Sequence, residues 1–259
     1  MLRRFFVHGP VEVEQPCVIT GSEARHILKV LRMKAGDRLA VADPRGAWFE
    51  AVIHSATRQE VTALVEKPIS APRLSAMPIF LCQALLKSGP MDYMIQKTSE
   101  LGVKAIFPFF SERTVVRLEE GRLSNRVRHW NEVSRSAAKQ SGRPVPARIN
   151  SPLSMKEVTA RWKAEDGLKV ILWEGEERHD LKSLLRSSCP AEMFVGIIGP
   201  EGGFPREEID MAGDAGFIPI SLGDRILRAE TAGVALAAIV QYEWGDLALR
   251  EHWAQPEEG

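Results

Sequence analysis

The stretch Phe194-Val195-Gly196-Ile197-Ile198 runs without a polar residue into Gly199-Pro200-Glu201-Gly202-Gly203-Phe204-Pro205. A short apolar run closed by glycines reads as a buried strand. Glycines in the loop let backbone amides approach a ligand, and Pro205 suits the first turn of a following helix. The loop also reads as a plain strand-to-helix turn with no ligand. Its spacing is not the G-x-G-x-x-G of a dinucleotide fingerprint. Such a loop normally follows the first strand of its unit, whereas only 57 residues follow Gly202.

Outward from this stretch, strands and helices alternate. Strands are expected at 77–84, 103–107, 168–173, 193–198 and 217–222, and helices at 91–101, 123–139, 180–186, 205–215 and 230–244. That rhythm calls for an α/β fold with a mostly parallel sheet, whose ligands sit in the loops at the carboxyl ends of the strands. The first 70 residues differ. Short strands at 3–7, 17–20, 37–43, 47–55 and 60–66, broken by turn signals such as Gly9-Pro10 and Gly36-Asp37, suggest a small β-barrel. One helix interrupts them at 23–33, with Ser22 as N-cap, Ile27, Val30 and Leu31 on its buried face, and Arg25, Lys29 and Arg32 turned out. Residues 67–72 read as a linker, so the expected division is a barrel at 1–70 and an α/β domain at 71–259.

A content of 44% hydrophobic and 26% charged residues excludes disordered and fibrous classes. The longest apolar run, Ala232 to Val240, is far shorter than the roughly 20 residues that span a bilayer. The N-terminus lacks a secretory apolar core, and a cytoplasmic location is the default expectation. Cys17, Cys82 and Cys189 are too widely spaced for a metal site or a disulfide framework. The six histidines show no H-x-x-x-H pair, and no G-x-S-x-G or P-loop occurs, so a metalloenzyme or hydrolase is not expected and no metal is assigned.

The net charge of zero hides a polarity: residues 1–150 hold 23 Lys and Arg against 14 Asp and Glu, while residues 151–259 hold 11 against 20. A basic half favours a polyanionic partner, although the same charges also fit a solvated face balanced by the acidic half. Arg113, Arg117, Arg122, Arg126, Arg128, Arg135, Lys139, Arg143 and Arg148, with Trp130 among them, either track a phosphate backbone or form the wet side of a long helix. The stretch from Ile220 to Ala232 places Ile226 and Leu227 in a loop, where they either plug the core or wall a pocket for a flat ring. Arg228 beside them is a charge clamp or the partner of Glu230 in a surface ion pair.

Seven segments together resemble a known family. They are Arg3-Arg4-Phe5-Phe6, His26-Ile27-Leu28-Lys29-Val30-Leu31-Arg32, Lys97-Thr98-Ser99-Glu100-Leu101-Gly102-Val103, Ser111-Glu112-Arg113, Gln140-Ser141-Gly142-Arg143, Ile198 through Phe204, and Leu222 through Thr231. In this order over nearly the whole chain, they are similar to the bacterial RsmE-type small-subunit ribosomal RNA uridine-N3 methyltransferases of the SPOUT superfamily. Ala229 and Pro90 depart from the family pattern.

The resemblance implies a PUA-like β-barrel followed by a SPOUT domain with a C-terminal trefoil knot, in a homodimer. It implies methylation of uridine N3 in 16S ribosomal RNA, free or in the small subunit, with S-adenosylmethionine as cofactor. The cofactor is expected against Leu172, Trp173 and Glu174, then Gly199, Pro200 and Gly202, then Leu222, Gly223, Ile226 and Leu227. Arg228 is the expected stabiliser of charge on the uracil oxygens, with Glu201 or Glu230 orienting the base or accepting its proton. Arg3, Arg4, Arg25 and Arg32 on the barrel, with Arg113 and Arg143 near the site, are the expected RNA contacts. The alternatives are a non-catalytic RNA-binding module and a Rossmann-type nucleotide enzyme.

Overall fold

Alternating burial builds the N-terminal unit. In the computed structural model, which describes residues 2–71, 75–116 and 120–247, β1 (Arg4–Phe6), β2 (Pro16–Thr20), β3 (Arg38–Ala42), β4 (Trp48–Ala56) and β5 (Glu60–Ile69) form one sheet in the order β1-β3-β4-β5-β2. Cys17 and Ile19 of β2 and Val61, Ala63 and Val65 of β5 point inward at period two onto Phe5, Ile27, Leu39 and Ile53. Two register shifts between β4 and β5 coil the ladder around this core.

The helix expected at 23–33 is shorter and differently wound. Gly21, at φ +67°, carries the chain from β2 directly into α1 (Gly21–Arg25), so Ser22 lies inside the helix and Thr20 is the N-cap, with no side-chain bond. A π-helical turn follows at His26–Val30 and is closed by Leu31 N–H to the His26 carbonyl at 3.0 Å. The wider turn keeps Ile27, Leu28, Leu31 and Met33 on the core but swings Val30 out to 69% exposure, against expectation.

The expected linker also begins too early, because Lys67, Pro68 and Ile69 still pair with Glu50, Phe49 and Trp48. Residues from Ala138 to Pro146 belong to this unit as well. Ala138 packs on Phe6 and Trp48, Arg4 donates to the Gly142 carbonyl at 3.1 Å, and Lys139 pairs with buried Glu23 at 2.9 Å.

The second unit is a parallel sheet. Its strands are β6 (Ile79–Ala84), β7 (Ala105–Phe110), β8 (Arg148–Ile149), β9 (Leu153–Ser154), β10 (Leu168–Leu172), β11 (Phe194–Ile198) and β12 (Ile218–Ile220), in the order β12-β10-β11-β6-β7-β8, with β9 also beside β7. Every residue of β11 is buried, as its apolar run requires of a central strand. At Gly196 a Cβ would collide with Leu236, so the glycine sets how closely the last helix approaches the sheet.

Helices α2 (Ser88–Glu100), α3 (Glu120–Ser141), α5 (Leu181–Ser187) and α7 (Ala229–Trp244) supply one apolar cluster, which includes Met94, Trp130, Leu185 and Leu236. Helices α4 (Met155–Trp162) and α6 (Arg206–Asp214) supply a second, which includes Trp162, Phe204 and Ile209. Pro90 stands in the first turn of α2, where a missing N–H costs nothing.

Helix α4 and the short β8 and β9 were absent from the expected pattern. The capping box of Ser154 and Glu157, with Glu157 N–H to Ser154 Oγ at 3.3 Å, was the signal for α4. No helix among the described residues is long and apolar enough to cross a membrane.

Candidate functional site

Because β12, β10 and β11 are neighbours and parallel, the loops leaving their carboxyl ends are neighbours too. The first loop leaves β10. Trp173 donates its N–H to the Ile220 carbonyl at 3.0 Å, and its ring lies against Gly175 and under the Arg206 guanidinium at 5.2 Å. Buried Glu176 accepts from the Arg178 and His179 amides at 2.8 and 3.1 Å and faces His179 Nδ1 at 3.1 Å. The Arg178 N–H, followed by the His179 groups, holds the Glu176 carboxyl below its ordinary value despite burial.

The second loop leaves β11. Gly203 N–H closes a turn onto the Pro200 carbonyl at 3.1 Å. At Gly203, with φ +68°, a Cβ would stand 2.6 Å from Glu174 Oε1, so the glycine admits the exposed Glu174 carboxylate beside the loop. Gly199 and Gly202 are each tied by their carbonyls, to Gln83 Nε2 and to Arg113 Nη1, both at 3.2 Å. Glu201 is exposed at the tip.

The third loop leaves β12. Ser221 N–H donates to the His179 carbonyl and Leu181 N–H to the Ser221 carbonyl, so this loop runs alongside the first. Leu222 packs on the core, Leu227 is half-buried, and Ile226 is 90% exposed. The amides of Asp224, Arg225, Ile226 and Leu227 meet no acceptor among the described residues. Gly223, at φ +104°, makes the turn. Arg228 is the exposed N-cap of α7, and no ion pair joins it to half-buried Glu230 among the described residues. The surface ion pair weighed for these two residues is therefore not formed.

The remaining sequence candidates divide between the units. Arg3, Arg25 and Arg32 are exposed on the N-terminal unit, Arg25 leaning on the Gly21 carbonyl at 3.4 Å. Arg4 is half-buried, with its guanidinium 5.4 Å over the Trp48 ring. Arg143 belongs to the N-terminal unit and Arg113 to the sheet unit. Trp130, which the sequence interleaves with basic residues, is 2% exposed and packs in the core, so it offers no stacking face. Arg117 lies outside the described residues.

Gln83 and Glu208, buried polar groups beside the glycine loop, escaped the sequence reading, and buried Ser111 entered it only within the segment Ser111-Glu112-Arg113, without a role. A glutamine inside the apolar stretch of β6 was the available signal for Gln83. No group of three or more metal-ligating side chains occurs among the described residues. A cavity of about 450 Å³ lined by Leu168, Cys189, Glu192 and Trp244 lies at the opposite, amino ends of β10 and β11, away from these loops.

Residues 73–241 match the family model of an RNA methyltransferase domain, and residues 19–66 match that of an RNA methyltransferase PUA domain. The chain is similar to the ribosomal RNA small subunit methyltransferase E of Bacillus subtilis, at 27% identity over 248 residues covering 93% of this chain and 97% of the relative. It is 30% identical over 243 residues to the protein of the same name from Buchnera aphidicola subsp. Acyrthosiphon pisum, with 94% of each chain covered. A ribosomal RNA small subunit methyltransferase E from Neisseria gonorrhoeae, solved bound to S-adenosyl methionine, superposes with a TM-score of 0.84 at 30% identity, covering 96% of this chain and 100% of that one. A methyltransferase from Legionella pneumophila, solved with bound SAM, superposes at 0.86 with 29% identity, covering 95% and 100%.

Proposed function

The chain belongs to the family of ribosomal RNA small subunit methyltransferases E, and from that membership we propose that it methylates N3 of a uridine in 16S ribosomal RNA at the loops described above. It is an RNA methyltransferase whose methyl donor is S-adenosylmethionine. The loops fit that donor. A nearly fully exposed isoleucine beside Leu222 and Leu227 is an apolar wall without a cover, and the unpaired amides from Asp224 to Leu227 can read the edge of a flat ring. Trp173 and Glu174 on one side and Gly199, Pro200 and Gly202 on the other complete the proposed donor site, together with Leu222, Gly223, Ile226 and Leu227.

When bound, the donor supplies a methyl group on a sulfonium, which leaves as a neutral thioether. The work of this chain is on the acceptor. Uridine N3 is an imide nitrogen that must lose its proton, and Glu201 or Glu230 is proposed to orient or accept it. The negative charge then spreads onto O2 and O4, where the Arg228 guanidinium is proposed to stabilise it. The observation that carries this role is that Arg228 is exposed at the N-cap of α7 with no ion-pair partner among the described residues. In a duplex N3 is paired, so the target base must be unpaired or flipped. Single-turnover transfer to ribosomal RNA, with the product nucleoside identified by mass spectrometry, tests the reading. A methyl on ribose or on another base overturns the N3 assignment, and binding without transfer points to an RNA-binding module instead.

The RNA is proposed to meet Arg3, Arg25 and Arg32 on the N-terminal unit, with Arg4, Arg113 and Arg143 contributing. Arg4 is already engaged with Trp48 and Gly142. We further propose a barrel at 1–70 and a catalytic domain drawn from 71–259, with residues from Ala138 to Pro146 joining the barrel's unit, as well as the trefoil knot, a homodimer, and a cytoplasmic site of action on the ribosomal RNA. The knot is supported by strand order: after β11 the chain passes β10 to form β12, and α7 returns to pack on β11 and α2.

A further inference from the structure

The loop after β7 and the loop after β11 are joined by one buried carboxylate. Glu208, in the first turn of α6 and 7% exposed, accepts Ser111 Oγ–H at 2.7 Å on Oε2 and the Glu112 N–H at 3.0 Å on Oε1. Ser111 is itself fixed: its N–H donates to Thr114 Oγ1, and its carbonyl accepts the Thr114 N–H, both at 3.0 Å. Two residues on from Ser111, Arg113 donates from Nη1 to the Gly202 carbonyl at 3.2 Å. At Gly202 a Cβ would stand 3.4 Å from Arg113 Cβ, so the arginine stem lies along the glycine. Phe109 and Phe204 stack between the same two segments, with ring planes 4° apart and centroids 6.4 Å apart.

We infer that Glu208 is a positioning residue: through Ser111 and Glu112 it holds Arg113 so that the guanidinium fixes the Gly202 carbonyl and sets the path of the donor-binding glycine loop. The inference rests on the reading that this loop holds S-adenosylmethionine. Its physical basis is that a buried carboxylate satisfied by two donors is directional and costly to disturb, whereas an exposed Arg-to-carbonyl bond alone is weak. The helix start also favours the anion, since the Arg206 and Glu207 amides in the first turn of α6 meet no acceptor among the described residues. Arg113 thus has a task in the absence of RNA.

The test is calorimetric binding of S-adenosylmethionine, without RNA, to the wild type, Glu208→Ala, Arg113→Ala and the double variant. Each single change is expected to weaken binding about tenfold, the scale of one charge-assisted hydrogen bond. The double variant is expected to be no weaker than either single one, because both break the same chain of contacts. Glu208→Gln should recover most of the affinity, since its oxygen still accepts the Glu112 N–H and its amide can donate to Ser111 Oγ. If Glu208→Ala does not fold, Ser111→Ala is measured in its place and should weaken binding in the same direction. Unchanged affinity in the single variants, or losses that add in the double, overturns the inference. A wild type that binds no S-adenosylmethionine overturns the donor-site reading instead.

Discussion

Gln83 Nε2 donates to the Gly199 carbonyl at 3.2 Å, tying the end of β6 to the first residue of the glycine loop across 116 positions of sequence. The same nitrogen donates to the Ala84 carbonyl at 3.1 Å, while the buried Oε1 has no partner among the described residues and sits 3.3 Å from where a Cβ of Gly233 would be. The glutamine therefore serves the loop and brings the core little. Gln83→Leu removes an unsatisfied acceptor but also strips the Gly199 and Ala84 carbonyls of this donor, so the urea midpoint is expected to fall modestly, by about 1 kcal/mol of stability. S-adenosylmethionine affinity is expected to fall by about tenfold, the worth of one to two hydrogen bonds. Calorimetry on the folded variant checks this, and undiminished affinity refutes the tie.

Ile226 separates binding from folding. At 90% exposure it contributes almost nothing to the core, so Ile226→Ala should change stability by less than about 0.5 kcal/mol. If its side chain walls the donor site, covering it on binding is worth about 1.5–3 kcal/mol, and donor affinity should drop by roughly ten- to a hundredfold. Equal affinity for the two proteins would remove Ile226 from the site.

Arg228→Ala tests the chemical step. An arginine that stabilises charge developing on the uracil oxygens acts more strongly in the transition state than in the ground state, so the single-turnover rate should fall by about 10²–10³. Donor affinity should move much less. A near-normal rate would return Arg228 to an ordinary solvated N-cap residue.

Acid should weaken the loop after β10 through Glu176. Its folded pKa lies below the ordinary 4.5, held there first by the Arg178 N–H. Such a group stabilises the fold above the unfolded value and loses that contribution as pH falls through the folded one. Glu176→Gln should therefore lower Tm relative to wild type at pH 6, and the gap should narrow as pH falls below the ordinary 4.5 and close once it has passed through the depressed folded value. A gap that is constant with pH would assign the loss to packing.

The N-terminal helix shows how far local signals reach. Ser22 is a good cap by type, and Ile27, Val30 and Leu31 are well spaced for one helical face. Yet Gly21 at positive φ starts the helix earlier, and the π-helical turn rotates Val30 to the surface. Spacing rules assume 3.6 residues per turn, and a single wider turn breaks the phase. Trp130 shows the same limit: adjacency to arginines says nothing about which side of α3 meets the core.

The sequence by itself determined the alternation of strands and helices, the buried run of β11, the glycine loop after it and the apolar residues in the loop before α7. All of these are written in composition and period within a few residues of chain. Its motifs also carried the family. Only the tertiary structure decided that Gln83 and Glu208 hold the glycine loop, that residues from Ala138 to Pro146 join the N-terminal unit, and that Arg228 stands apart from Glu230. The physical reason is that a buried polar side chain is placed by the partner it finds. Those partners, Gly199 for Gln83 and Ser111 for Glu208, lie 116 and 97 positions away, beyond the reach of any local pattern.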